Sequence, residues 1–344
     1  MAIIPRIENS GHTPAWQTAL RQAVCSVDEL LRLLQIDAAR LNTCPINREF
    51  PLRVPRCFIA RMKQGDIQDP LLRQVLPLHE ETRDKAGFHT DPLGEQDAMS
   101  IPGLLHKYNG RALLTLTGAC AIHCRYCFRR HFPYSDANPV SAHWGKVLDY
   151  LHSHTGISEI ILSGGDPLAL PDARLRELAQ QLATIPHLRT LRIHTRLPIV
   201  LPDRVDEQLL DWLGNHPQHS VMVVHCNHPN EIDAAVSSAM KRLAQAGVTL
   251  LNQAVLLKGV NDNAATLASL SEALFAAGVL PYYLHQLDKV QGAAHFEVDA
   301  TTARKLMDSI HTLLPGYLVP RLVRELPGLP GKQLLWPGQT TAGP

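Results

Sequence analysis

Arg111–Cys127 reads RALLTLTGACAIHCRYC. It opens on a short β-prone run, Ala112–Thr117, and ends in three cysteines, Cys120, Cys124 and Cys127, spaced C-x3-C-x2-C. The chain downstream repeats the opening half of this pattern. Candidate strands at Glu159–Leu162, Thr190–His194, Ser220–His225, Thr249–Leu256 and Tyr282–Leu287 alternate with amphipathic stretches near 141–153, 172–184, 203–213, 231–246, 263–277 and 300–313. Strand–helix alternation at this spacing predicts a parallel sheet covered by helices. Six such units make an α/β fold, a partial (β/α)6 barrel. In that architecture functional residues gather at the C-terminal ends of strands and in the loops after them. The cysteine loop follows the first of these strands.

Residues 1–105 read as a mainly helical extension. Val27–Ile36 (VDELLRLLQI) carries leucine at helical spacing, with Ser26 as its N-cap. The barrel then occupies 106–315. A Pro/Gly-rich, extended C-terminal segment follows at 316–344. No internal repeat or low-complexity tract interrupts this plan.

Composition excludes several classes. Apolar residues make up 45% of 344, enough for a full core, and the net charge is +1. A general nucleic-acid or membrane-surface binder needs a basic excess. No apolar run approaches the ~20 residues of a membrane span, and Met1–Ser10 has no secretory core, so a cytoplasmic location is expected. Crowded cysteines in such a protein favour metal ligation or redox chemistry over disulfides. Three thiolates on one tight loop can ligate three irons of a cubane and leave the fourth open to a chelating ligand. The alternative is structural zinc, with His123 or His131 as fourth ligand; zinc loops usually come as paired knuckles, and there is no second pair. Cys25, Cys44, Cys57 and Cys226 are scattered and read as mostly buried thiols.

With these residues in place, the chain resembles the radical S-adenosylmethionine (SAM) superfamily. The hallmarks are the cysteine spacing, the aromatic Tyr126 before the last cysteine, and Ser163-Gly164-Gly165-Asp166-Pro167 after the second strand. The last is similar to the GGDP/GGEP segment whose edge meets the SAM amino group. A glycine pair lets backbone groups approach a ligand closely. From roughly Pro102 to Lys332 the likeness narrows to the lysine 2,3-aminomutase family, closest to the short bacterial branch that serves β-lysylation of elongation factor P. It is carried by LLHKYNGR (Leu104–Arg111), CAIHCRYCFRRHFPY (Cys120–Tyr134), RIHTRLP (Arg192–Pro198), LNQAVLLKGVND (Leu251–Asp262) and PYYLHQLDKVQGAAHF (Pro281–Phe296).

The resemblance implies a partial radical SAM barrel, a [4Fe–4S] cluster, SAM, and pyridoxal 5′-phosphate (PLP) held as a Schiff base. The matching lysine is Lys332, in ELPGLPGK; the same letters fail as a P-loop, lacking the four-residue spacer and the following Ser/Thr. It implies Lys107, Tyr108 and Arg111 at the PLP phosphate, Tyr126, Gly164, Gly165, Asp166 and Gln253 near SAM, and Arg129 on the substrate carboxylate through its planar fork. Arg130 reads as a neutraliser of the cluster or a surface partner, and Asn252 equally as a buried amide serving backbone. Asp288 and Glu325 match the two carboxylates that take the substrate's ε-ammonium. Glu325 replaces an aspartate of the family pattern. No cysteine follows Cys226, so the zinc-stapled assembly of longer relatives is not carried over.

The implied reaction moves the amino group of free lysine from the α- to the β-carbon by radical chemistry. An electron donor such as flavodoxin or ferredoxin supports it, with a functional link to the elongation factor P lysine ligase. The alternatives are a related aminomutase on another amino acid, against which Asp288 and Glu325 favour a cationic side chain, and a non-catalytic metal-binding module. Most histidines read as structural, although His225 and His228 could approach the site.

Overall fold

Among the described residues ten strands form one sheet in which chain order is spatial order: β1 (Met99–Ile101), β2 (Leu104–Tyr108), β3 (Arg111–Thr115), β4 (Glu159–Ser163), β5 (Thr190–Thr195), β6 (His219–Val224), β7 (Thr249–Leu256), β8 (Leu280–Gln286), β9 (Arg321–Arg324) and β10 (Gln333–Leu334). This is a computed structural model that describes residues 14–41, 43, 50–134 and 143–336. Cys44, Met1–Ser10 and the first residues of the helix expected near 141 lie outside the described residues. From β3 to β9 every neighbouring pair is parallel. The flanking pairs β1–β2, β2–β3 and β9–β10 are antiparallel.

Six helices follow β3 to β8 in turn: α3 (Trp144–Ser153), α4 (Asp172–Ala183), α5 (Glu207–Gly214), α6 (Ala234–Gln245), α7 (Ala264–Ala276) and α8 (Ala300–Leu313). These are the six expected units. Among the described residues α1 (Ala15–Arg21) and α2 (Val27–Leu33) precede them, followed by one-turn helices at Arg56–Ile59 and Pro70–Arg73. Ser26 caps α2 through the Glu29 N–H. Asp206, Asp233, Asn263 and Asp299 cap α5 to α8 in the same way. Each cap is worth about 1 kcal/mol. The Asp206 cap starts α5 at Glu207 rather than near 203, because Pro202–Arg204 forms a 3-10 turn.

The sheet extends further at both edges than the sequence pattern predicts. β1 and β2 precede the strand expected to be first, so Lys107 and Tyr108 lie on a strand and the division at 105/106 falls inside β2. β9 is a seventh parallel strand within the Pro/Gly-rich C-terminal segment expected to be extended, with Leu322 and Val323 buried. The N-terminal extension shares the barrel's hydrophobic core. Trp16, Leu30, Phe58 and Leu71 belong to one cluster with the strand residues Ile160, Ile193 and Leu284. Arg204, fully buried, places its guanidinium 4.5 Å over the Trp16 ring and donates to Asp172 at 2.9 Å.

A parallel sheet covered on both faces ordinarily reads as continuous apolar runs. Here the runs are broken on alternate residues. Leu191 and Ile193 on β5, and Leu284 on β8, are buried in the core cluster. Arg192, His194, Gln253, Tyr283 and His285 line a cavity of about 490 Å³. Successive strand residues point to opposite faces, so the polar set turns inward. No helix among the described residues is long and apolar enough to cross a membrane.

Candidate active site

The cysteine loop leaves β3 and is clamped by the N-terminal extension. His123 and Arg125 donate backbone N–H bonds to the carbonyls of Arg53 and Gln74. The Arg125 guanidinium spans Glu81, at 2.8 and 2.5 Å, and Arg130 reaches the same carboxylate at 2.7 Å. Both guanidinium groups lie over the Phe50 ring. Arg130 is thus a buried partner of Glu81 and no surface residue. His123 spends Nδ1 on the Pro51 carbonyl at 2.7 Å, and His131 Nε2 lies 3.3 Å from the Gln291 carbonyl.

Gly164 and Gly165 make room for this loop's own backbone. A Cβ on Gly164, whose φ is +126°, would sit 2.6 Å from the Thr117 carbonyl oxygen; one on Gly165 would sit 2.5 Å from that of Ala119. The contact is sealed by Gly165 N–H to Thr117 O and Asp166 N–H to Ala119 O. The Asp166 carboxylate accepts from the Thr195 hydroxyl at 2.7 Å and the backbone N–H groups of Arg196 and Leu168. It therefore joins the ends of β4 and β5. Burial raises its pKa to about 6 against those hydrogen bonds. Gly165→Ala should displace the cysteine loop, since backbone cannot yield as a side-chain tip can. A loss of about 1–3 kcal/mol and reduced iron uptake on reconstitution are expected, read by thermal melting and iron analysis.

Cys120, Cys124 and Cys127 line the cavity together with the predicted Lys107, Tyr108, Arg111, Tyr126, Arg129, Gly164, Gly165, Asp166, Gln253, Asp288, Glu325 and Lys332. The charged members form a chain of alternating sign. Arg129 meets Glu95 side-on, Nε and Nη2 at 2.6 and 2.7 Å. Glu95 lies 4.0 Å from Lys107, which reaches Glu325 at 3.3 Å. Glu325 in turn takes Lys332 Nζ at 2.5 Å. Arg129 Nη1 donates to Ser163 Oγ at 2.9 Å. The Arg111 guanidinium stacks 4.6 Å over Tyr108.

The two carboxylates at the Lys332 end differ. Burial and then the Glu325 charge push Asp288 up to about 7. Burial would raise Glu325 too, but Lys332 and Lys107 hold it down at about 2.

Three histidines complete the cavity, His285 buried and His194 and His225 half-buried. His225 lies 2.8 Å from Gln253 Nε2. His194 Nε2 and His285 Nε2 are buried with no hydrogen-bond partner. Desolvation holds His225 and His285 near 3, so both are neutral at pH 7. Neutral imidazoles without partners can donate to or accept from a bound polar group. His228 does not join them; its ring caps a turn through the Asn230 N–H. Asn252 brackets the Cys226 backbone with both amide atoms. Motif reasoning misses His194, His285, Glu95 and Glu81. The alternation Arg192-x-His194 and Tyr283-x-His285 is the signal for the first two; nothing local marks the glutamates.

The residues present fit the cofactors that such a site takes. Burial and mutual proximity push the Cys127 thiol up to about 11 and hold Cys120 well above its usual range. Such thiols ionise when a metal cation supplies the offsetting charge. The orphaned His194 and His285 nitrogens and the cationic residues beside them suit a polar, anionic group.

Residues 114–270 match the Radical SAM superfamily. The L-lysine 2,3-aminomutase of Escherichia coli (strain K12) is 53% identical over 319 residues, 92% of this chain and 93% of that protein. The one of Haemophilus influenzae is 46% identical over 335 residues, 97% and 99% of the two chains. The one of Clostridium subterminale is 32% identical over 325 residues, covering 94% of this chain and 78% of that one. Family membership implies a [4Fe–4S] cluster, SAM and PLP, and sets the non-catalytic module aside. The chain is a radical SAM enzyme and belongs to the L-lysine 2,3-aminomutase family.

Proposed function

We propose that this isomerase converts L-α-lysine to β-lysine with PLP as second cofactor, and that the product serves modification of elongation factor P. The observation that carries the substrate is the charge layout of one cavity, with Arg129 beside the cysteine loop and Asp288 and Glu325 beside Lys332. A low-potential donor of the flavodoxin or ferredoxin class supplies the electron, and the elongation factor P lysine ligase uses the product. The described cysteines are free thiols, which suits the cytoplasm.

When bound, the cluster and SAM supply the hydrogen-abstracting radical, and PLP supplies the delocalisation that lets nitrogen migrate. The chain's own residues position these groups and keep water out. Cys120, Cys124 and Cys127 hold three irons. The Gly164–Gly165 backbone, Tyr126, Asp166 and Gln253 flank the SAM position. Lys107, Tyr108 and Arg111 face the PLP phosphate, and Lys332 carries the cofactor. Glu95 holds the Nε–Nη2 edge of Arg129 while Ser163 Oγ and Gly164 O lie at Nη1, so the substrate carboxylate takes the place of one of those Nη1 contacts. Glu325 pairs with Lys332 Nζ until that nitrogen is engaged; the substrate ammonium then takes its place, with Asp288 as second partner.

Asp288→Asn keeps shape and removes charge. A charge-assisted hydrogen bond contributes about 1.5–3 kcal/mol, so lysine binding should weaken by about tenfold or more, and preference for lysine over norleucine should shrink. Glu325→Asp should be tolerated better than Glu325→Gln. An unchanged preference in both neutral variants would remove the clamp.

The pH dependence has a fixed sign. Below pH 7 the Asp288 carboxyl is protonated and must lose its proton to pair with the ammonium. The KM for lysine should therefore fall as pH rises through 7 and level off above it. Glu325, at about 2, adds no slope there, and lysine keeps its charge to about 10.4. In Asp288→Asn the slope should vanish. An amino-acid screen with SAM and dithionite tests the function itself: lysine should be isomerised in preference to glutamate, arginine or norleucine, and a better turnover of any of these would overturn the substrate.

A further inference from the structure

Arg196, at the end of β5, is a buried cation that no step above uses. Its Nη1 lies 2.7 Å from Cys124 Sγ and 2.7 Å from the Tyr126 hydroxyl. Its Nη2 donates to Gln74 Oε1 at 2.7 Å and Glu231 Oε2 at 2.9 Å. The four terminal N–H groups are thereby directed, while Nε is buried with no hydrogen-bond partner. The partners are fixed in turn. Asn227 Nδ2 donates to the Tyr126 hydroxyl at 2.6 Å and to Gln74 Oε1 at 3.0 Å, while Glu231 Oε1 accepts from Gln74 Nε2 and the Asn227 N–H. Gln74, Asn227 and Glu231 are at most 1% exposed and Arg196 is 5% exposed. The backbone of Arg196 is held by Asp166.

A tie between segments could be made by apolar packing, which is often as stable as a buried ion pair. This pair instead aims a guanidinium at a sulfur. Hydrogen bonds to cluster sulfurs and local charge are what set the potential of an iron–sulfur centre. We infer that Arg196 tunes the reduction potential of the cluster through Cys124, and that Glu231 partly offsets its charge; the inference rests on Cys120, Cys124 and Cys127 being the cluster ligands. The step concerned is transfer of one electron from a low-potential one-electron donor, which is oxidised, to the [4Fe–4S]2+ centre, which becomes [4Fe–4S]+. No covalent bond forms or breaks. The cluster with its three thiolates gains one negative charge, and a cation at Cys124 favours the product.

The test compares wild type, Arg196→Lys, Arg196→Gln and Glu231→Gln after anaerobic reconstitution. Iron and sulfide are measured first. The midpoint is then read from the electron paramagnetic resonance signal of the reduced cluster during a dithionite titration with redox mediators. Arg196→Gln should shift the midpoint to more negative potential, with Arg196→Lys between it and wild type. Glu231→Gln keeps the guanidinium and removes its offsetting anion, so it should shift the midpoint the other way. A merely structural tie predicts no midpoint change in cluster-loaded protein. Equal midpoints would overturn the inference. Where position 196 variants fail to fold, Glu231→Gln decides alone, and an unchanged or more negative midpoint overturns it. A wild-type chain that takes up no iron would sink the three-cysteine reading, an outcome distinct from equal midpoints.

Discussion

Lys332→Ala should abolish lysine turnover, by about three orders of magnitude or more, and leave the cluster in place. Loss of a residue that bonds covalently to cofactor or substrate acts on that scale. The geometry separates the two effects. Lys332 lies beyond β9, seven residues after its partner Glu325, whereas the cysteines sit on the loop after β3. The substitution leaves Glu325 paired with Lys107 at 3.3 Å, so no buried carboxylate is stranded. Iron content and dithionite-driven SAM cleavage should match wild type. Borohydride trapping of the PLP-loaded wild type, followed by peptide mapping, should find the pyridoxyl group on Lys332. Lys107 is the informative competitor, because its ammonium shares Glu325 in the same cavity. A tag on Lys107 would reverse the roles of the two lysines.

Cys124→Ala, Cys120→Ala and Cys127→Ala should each eliminate the cluster and SAM cleavage. Three ligands are the fewest that hold three irons and leave the fourth open, so no partial activity is expected. The apo fold should survive, because the loop is held by bonds that do not involve sulfur: Arg125 and Arg130 on Glu81, and the backbone contacts to Arg53 and Gln74. Cys25→Ala, at an exposed position away from the cavity, is the control and should keep full iron. Normal iron, sulfide and SAM cleavage in any of the three loop variants would remove that cysteine from the ligand set.

The barrel was legible because each unit carries its signals locally. β-branched and leucine-rich runs alternate with capped helices, and the four side-chain caps at Asp206, Asp233, Asn263 and Asp299 stand in the sequence at the helix starts. β9 and β2 were not read as strands. β9 is short and is fixed by β8, far earlier in the chain, whereas β2 pairs with β3 directly across Asn109-Gly110, a local hairpin-turn signal. The site divides along the same line. Cysteine spacing, the glycine pair and the lysine are local motifs. Glu95 and Glu81 lie in an irregular stretch, and their role emerges only when folding brings them to Arg129, Arg125 and Arg130. The glycine pair was read as letting backbone approach a ligand; both glycines line the cavity, and their missing side chains also make room for the backbone of the cysteine loop.

The reading of the chain as a lysine 2,3-aminomutase is tested most directly by following the nitrogen. Protein reconstituted with iron, sulfide and PLP is supplied anaerobically with SAM, dithionite and lysine labelled with 15N at the α-amino group, and the product is read by nuclear magnetic resonance. The account predicts β-lysine with the label bonded to the β-carbon, formed only when cluster, SAM and PLP are all present. Cluster-loaded protein that cleaves SAM while the label stays on the α-carbon of unchanged lysine would contradict it.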